Sequence, residues 1–242
     1  MQNANYIGDN KELVVLSLNH IREGSEEKAK EVMKKLVPLT NREPSCFFYQ
    51  MHVNVGTEDN NYMVENQRFY MFYEIWRSRA DWDKHMEMPY LQEWKSIAGD
   101  VCESWQLYIW ERVKLPTCPI FRGGDLVDPK DKYTLLALVD VKEDCEDRAW
   151  KEILALVPYT HTEPGCISYE MHINLDMDNM TVNPRKIMFY ENWYDYRVWK
   201  HEHMKADYLV RWFDMSPQVT HKIELTGWKL VDHELTATGK EK

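Results

Sequence analysis

One stretch of this sequence occurs twice, and that repetition limits the possible folds more than any other feature. Lys35-Leu36-Val37-Pro38-Leu39-Thr40, followed by Glu43-Pro44-Ser45-Cys46, returns as Ala155-Leu156-Val157-Pro158-Tyr159-Thr160, followed by Glu163-Pro164-Gly165-Cys166, at an offset of 120 residues. At the same offset Tyr49, Met51, His52 and Asn54 correspond to Tyr169, Met171, His172 and Asn174. Tyr73-Glu74-Ile75-Trp76 then matches Tyr190-Glu191-Asn192-Trp193 at an offset of 117, so the second copy has the shorter intervening loop. The chain is therefore read as a tandem pair of domains of about one hundred residues each. The copies run from Glu12 to Val113 and from Lys132 to Asp232. Residues 114–131, with Pro116, Pro119, Gly123, Gly124 and Pro129, form the linker.

Each copy reads strand, helix, strand, strand, helix, strand. Leu13 to Leu18 is a short apolar strand. Ser25 is placed to cap a helix whose apolar positions Ala29, Val32, Met33, Leu36 and Val37 have helical spacing, with Pro38 at its end. Cys46–Val55 and Arg68–Trp76 are aromatic and β-branched, as are Cys166–Leu175 and Lys186–Trp193. A second helix, capped by Ser78 or Asp195, carries Trp82, His85, Leu91 and Trp94 in one copy and Trp199, His203, Leu209 and Trp212 in the other. Trp105–Val113 and Ile223–Val231 supply the last strands. The long connections Gly56–Gln67 and Asp176–Arg185 are read as covers over a pocket. A βαββαβ unit makes an antiparallel sheet with both helices on one face. The bare face of each copy is expected to meet that of the other.

Composition closes off other classes. With 44% hydrophobic residues, ten Trp and fourteen Tyr, the chain can bury cores and is not disordered. Its 40 acidic and 30 basic side chains give a net charge of -10 without a basic stripe, which disfavours nucleic acid. The first ten residues lack a charged start and an apolar stretch, and no apolar run reaches the length of a membrane span, so a cytoplasmic protein is expected. Five cysteines without C-x-x-C spacing point to reduced thiols.

The order of elements, the stretch from Glu163 to His172, and Phe189-Tyr190-Glu191-x-Trp193 before a helical His together resemble the antibiotic biosynthesis monooxygenase family, of the quinol-oxidising and autoinducer-degrading type. The resemblance implies an α+β fold: two tandem ferredoxin-like domains forming a dimeric α+β barrel within one chain. The usual homodimer becomes an intrachain pseudo-dimer, with further homo-oligomers left open. It also implies a cofactor-independent monooxygenase that oxidises a small aromatic or quinol-like compound with dioxygen. No dinucleotide fingerprint, P-loop or haem-attachment sequence is present.

His85 and His203 follow Trp82 and Trp199 by three and four residues, so each shares a helix face with its Trp. They are the candidate catalytic bases, and a histidine satisfied in the core is the competing reading. The differing spacing weakens their equivalence. His52 with Asn54, and His172 with Asn174, alternate along a strand and offer donors to a substrate oxygen. Trp82 and Trp199 would wall the substrate. Glu74 and Glu191 share a face with Trp76 and Trp193 and are expected to pair with basic neighbours. Asn19 resembles the Asn of haem-degrading members, but its counterpart is Val139. His201-x-His203 diverges on a helix, so no metal is assigned. Two alternatives stay open: a haem-binding or haem-degrading enzyme of this fold, and a non-catalytic small-molecule-binding module.

Overall fold

A computed structural model describes residues 12–56, 64–114 and 131–231. The first copy comprises β1 (Leu13–Ile21), α1 (Glu26–Thr40), β2 (Cys46–Val55), β3 (Glu65–Trp76), α2 (Arg79–His85), α3 (Pro89–Val101) and β4 (Cys102–Arg112). The second repeats it with β5 (Tyr133–Val141), α4 (Glu146–Thr160), β6 (Cys166–Leu175), β7 (Val182–Trp193), α5 (Tyr196–His201), α6 (Asp207–Met215) and β8 (Thr220–Leu230). All but the first and last residues of the linker lie outside the described residues. Among the described residues no helix is long and apolar enough to cross a membrane.

Hydrophobic spacing built α1 and α4 as expected. Ala29, Met33, Leu36 and Val37 are buried in one, and Ala149, Ile153, Leu156 and Val157 in the other. Pro38 and Pro158 are absorbed in the last turn, which runs on to Thr40 and Thr160. Ser25 makes no side-chain cap; its carbonyl accepts from Ala29 instead. Ser78 and Asp195 do cap, accepting from the backbone N–H groups of Asp81 and Val198 at 3.2 and 2.9 Å.

The expected continuous second helix is broken. Pro89 opens α3, and Met88 before it is held extended (φ -64°, ψ 141°), as a residue preceding proline prefers. The second copy breaks at the same place without a proline. His203–Lys205 forms a 3-10 turn, and Ala206 adopts nearly the same extended conformation (φ -62°, ψ 132°) before α6.

The strands close into one eight-stranded antiparallel barrel in the order β1-β3-β2-β8-β5-β7-β6-β4. The two sheets do not stack as separate layers. They join edge to edge along two seams, β2 with β8 and β4 with β6, so that their bare faces become opposite walls of one lumen. Asn54 donates to the carbonyl of Gly227 at 3.0 Å across the first seam, and Asn174 to that of Ile109 at 3.1 Å across the second.

Alternation along each strand divides the apolar residues into three cores. Val15, Met51, Phe72 and Trp76 face the helices of the first copy, and Ala137, Met171, Phe189 and Trp193 those of the second. Leu16, Met71, Tyr73, Leu136, Met188 and Tyr190 fill the lumen. The strand ends cross over: Val55 packs in the second copy's helical core, and Leu175 in the first's.

At the centre of the lumen Tyr73 and Tyr190 stack at 3.8 Å, nearly parallel. Tyr73 hydrogen-bonds Nε2 of His172 at 2.8 Å, and Tyr190 that of His52 at 3.2 Å. The two-fold likeness ends beside this stack. Glu170, with Arg112 at 3.7 Å and Glu12 beyond it, stands where the first copy's seam has Gln50 and Leu230. Burial raises the Glu170 carboxyl while Arg112 opposes it, and burial with the nearby guanidinium lowers His172 to about 3.

Candidate functional site

Beneath α2 and α3, against the helix-covered face of the first sheet, a group of polar side chains sits in otherwise apolar surroundings. Strand alternation puts Glu74 on the same face as Phe72 and Trp76. The indole N–H of Trp76 donates to the Glu74 carboxyl at 2.8 Å. His85, the last residue of α2, lies over Trp76 with ring centres 4.4 Å apart. Its Nδ1 meets Glu43, from the loop after α1, at 2.5 Å, and the Tyr90 hydroxyl donates to the same carboxylate.

The second copy repeats the arrangement. His203 lies 4.4 Å from Trp193 at the same interplanar angle of 39°, and its Nδ1 is 3.1 Å from Glu163. Tyr208 donates to Glu163, the Trp193 indole donates to Glu191 at 3.0 Å, and Nε2 of His203 lies 4.0 Å from the Glu191 carboxyl. The extra residue before His203 is taken up where α5 gives way to the 3-10 turn. The two histidines are thus equivalent in space although their spacing from Trp82 and Trp199 differs.

Burial governs the protonation of Glu74, Glu191 and His85. Glu74 is enclosed with no cation against it among the described residues, so desolvation lifts its carboxyl to about 8; Trp76 hydrogen bonding opposes this only in part. Glu191 is lifted to about 7 for the same reason, the nearby His203 opposing. Burial lowers His85, against the pull of Glu43, and so favours the neutral ring. An Nδ1–H donated to Glu43 leaves Nε2 as the basic atom. In the second copy that atom is the one turned toward Glu191. The arrangement can hold a proton on a buried carboxyl and accept another at an adjacent imidazole.

The expectation of a basic partner is corrected for Glu74, whose closest partner is an indole; Glu191 takes an indole N–H and also has His203 at 4.0 Å. Sequence reasoning used Glu43 and Glu163 only as markers of the repeat. Their role was hidden because each meets a histidine about forty residues onward, |i−j| being 42 and 40. Tyr90 and Tyr208 join the clusters from the helices that follow, α3 and α6.

The other expected site residues are distributed differently. Trp82 and Trp199 are buried at 5% and 2% exposure on the helix-covered side, and Arg79 lies over the Trp82 ring. His52, Asn54, His172 and Asn174 do share a face, but it is the lumen wall, away from His85 and His203. The side-chain amides of both asparagines are engaged in the seams. Asn19 is buried on the helix side of β1, its amide on Ser17, whose hydroxyl also takes the Trp105 indole N–H. Its carbonyl oxygen has no hydrogen-bond partner among the described residues. Asn19 stands four residues from Val15, the strand partner of Glu74, roughly 13 Å along the strand. Val139 is buried in the corresponding place. His201 is exposed while His203 is buried, so the two do not converge.

Of the two expected covers, residues 57–63 lie outside the described residues. The other is shorter than expected, because β7 begins at Val182 and leaves only the turn Asp176–Thr181. That turn crosses to the first copy, where the Met177 carbonyl accepts from Arg79 at 2.7 Å.

Comparison with known proteins agrees with this architecture. The sequence profile of the family described as antibiotic biosynthesis monooxygenase matches residues 13–96 and 132–214. An uncharacterized protein of Synechocystis sp. is 26% identical over 89 residues, 37% of this chain and 54% of the relative, so the match spans about half of that protein. A structure from Fusobacterium nucleatum, provisionally named a monooxygenase, superposes with a TM-score of 0.64 at 11% identity, covering 93% of this chain and 94% of that one. An anthrone oxidase-like protein gives 0.59 at 14% identity, with 93% of each chain covered. At these identities the two structures speak for the fold.

Proposed function

Because the chain belongs to the antibiotic biosynthesis monooxygenase family over both of its copies, we propose that it is a cofactor-independent oxygenase of a small, electron-rich aromatic or quinol-like compound. The observation that carries this reading is the buried imidazole–carboxylate pair, His85 with Glu43 and His203 with Glu163, kept in like geometry across an insertion. The imidazole takes a phenolic proton at Nε2, and the carboxylate at Nδ1 stabilises the resulting cation. The substrate anion passes an electron to dioxygen, one oxygen atom enters the ring and the other leaves as water. A hydroquinone would give a hydroxyquinone by this balance. The protonated carboxyl of Glu74 or Glu191 is the nearby group able to return a proton. Tyr90 and Tyr208, only partly buried, are the outermost members of each cluster, and substrate would enter past them.

Oxygen uptake with a panel of hydroquinones, catechols and anthrones tests the proposal. His85→Ala and His203→Ala together should lower turnover by about two to four powers of ten, the usual contribution of a general base. Each single variant reports whether its copy works. Unchanged uptake in the double variant would return both residues to a packing role. A flat trace across the whole panel would favour the non-catalytic binding module. The haem reading rests on Asn19 alone, whose counterpart in the second copy is Val139. Haemin added to the protein, with the Soret band followed, is its test.

A further inference from the structure

Two clefts open into the barrel lumen, away from both histidine clusters, and meet at Leu138 and Glu224. One, of about 300 Å³, is bordered by Leu18, Asn54, Phe69 and Trp228. The other, of about 440 Å³, is bordered by Tyr108, Trp110, Leu138, Asn174 and Ile187. They are related by the pseudo-two-fold axis, since Asn54 pairs with Trp228 across one seam and Asn174 with Trp110 across the other.

The two indoles differ in one respect. Trp228 donates its N–H to the Thr226 hydroxyl at 2.9 Å. Trp110 is 4% exposed, and its N–H has no hydrogen-bond partner among the described residues. Tyr108 occupies the place of Thr226, and its hydroxyl turns to Gln106 at 3.3 Å. A buried donor left unpaired is costly, and native proteins rarely leave one without reason. The cleft that Trp110 helps to line is within the size range of small-molecule sites. Its walls are aromatic and aliphatic. The charges at its rim are already matched, Lys186 with Asp140 at 2.7 Å and Lys222 with Glu224 at 2.5 Å.

We propose that the larger lumen cleft is a second ligand site, for a flat, uncharged aromatic molecule carrying a carbonyl or ether oxygen that accepts from Trp110. Tyr108 is 37% exposed and, among the described residues, its hydroxyl is held by a single long hydrogen bond, so it swings aside to admit the ring and then covers it. Matched rim charges select against ions, and the indole selects for an oxygen acceptor.

Calorimetric titration of the full chain with 1-indanone, and with indane as the analogue lacking oxygen, tests this. Indanone is not a phenol, so the result is independent of the proposed oxygenation. The wild type should bind indanone about fivefold more tightly than indane, the discrimination expected from one neutral hydrogen bond. Tyr108→Thr supplies the acceptor that Thr226 gives its own tryptophan, and should bring the ratio to near one; Trp110→Phe should do the same. Thermal unfolding of each variant establishes that it is folded, and Tyr108→Thr, at a partly exposed position, decides the matter if Trp110→Phe is not. Failure of the wild type to bind indanone, or a ratio unchanged in Tyr108→Thr, overturns the proposal.

Discussion

Replacing Glu74 by Gln should make the protein more stable at neutral pH and flatten its dependence on pH. Gln keeps an oxygen for the Trp76 indole and imitates the protonated carboxyl, but it cannot ionise. In the folded protein the Glu74 carboxyl is held near 8 by desolvation, against an ordinary value of 4.5. The folded state therefore keeps a proton that the unfolded chain has already released between those two values. A raised folded value gives stability that is complete below pH 4.5 and is lost as pH rises toward 8. Each pH unit in that window costs about 1.4 kcal/mol, so by pH 7 the accumulated loss is about 3 kcal/mol. The variant escapes it. Urea unfolding from pH 5 to 8.5, followed by tryptophan fluorescence, should show the gap between variant and wild type widening with pH. Comparing the two chains cancels the slopes due to Glu191 and Glu170. Parallel curves would mean that Glu74 is ionised at neutrality, and the proposed proton-returning role would fall with that result.

Two further substitutions test the architecture. A Cβ at position 227 would collide with the buried Tyr133 hydroxyl, so Gly227→Ala should cost about 1–3 kcal/mol by urea unfolding. Tyr133→Phe in the same chain should recover much of it, because among the described residues that hydroxyl has no hydrogen-bond partner to lose. Asn54→Ala and Asn174→Ala should each cost about 1 kcal/mol by removing a hydrogen bond across a seam. Their effects should add, since they act on opposite seams; strong non-additivity would contradict independent closure.

The repeat made the fold readable, because two like units with one bare face each have few ways to hide both. Strand alternation also placed Glu74 beside Trp76 and His52 beside Asn54 correctly. It could not say which side of the sheet those pairs would face, since both sides here are buried. That is why His52 and Asn54 became lumen residues, and why Glu74 was assigned a basic partner it does not have. The helix break was marked by Pro89 in one copy but by nothing comparable at Ala206 in the other. The equivalence of His85 and His203 was obscured by an inserted residue that a local 3-10 turn absorbs. Glu43 and Glu163 reach their histidines from another element, a pairing that no helical or strand period encodes.

The single Glu170–Arg112 contact on one side of the Tyr73–Tyr190 stack bears on how such a chain can evolve. A homodimer must place every lumen residue twice. Two second copies paired with each other would bury two Glu170 carboxylates facing Leu230, with no guanidinium for either. Two first copies would set two Arg112 side chains against Gln50. Joining the copies in one chain released the lumen from that doubling, and the charge that then settled on one side commits each half to the other. The duplication has become a ratchet: the halves can go on diverging, but neither can return to life as a symmetric pair without first giving up its share of the asymmetry.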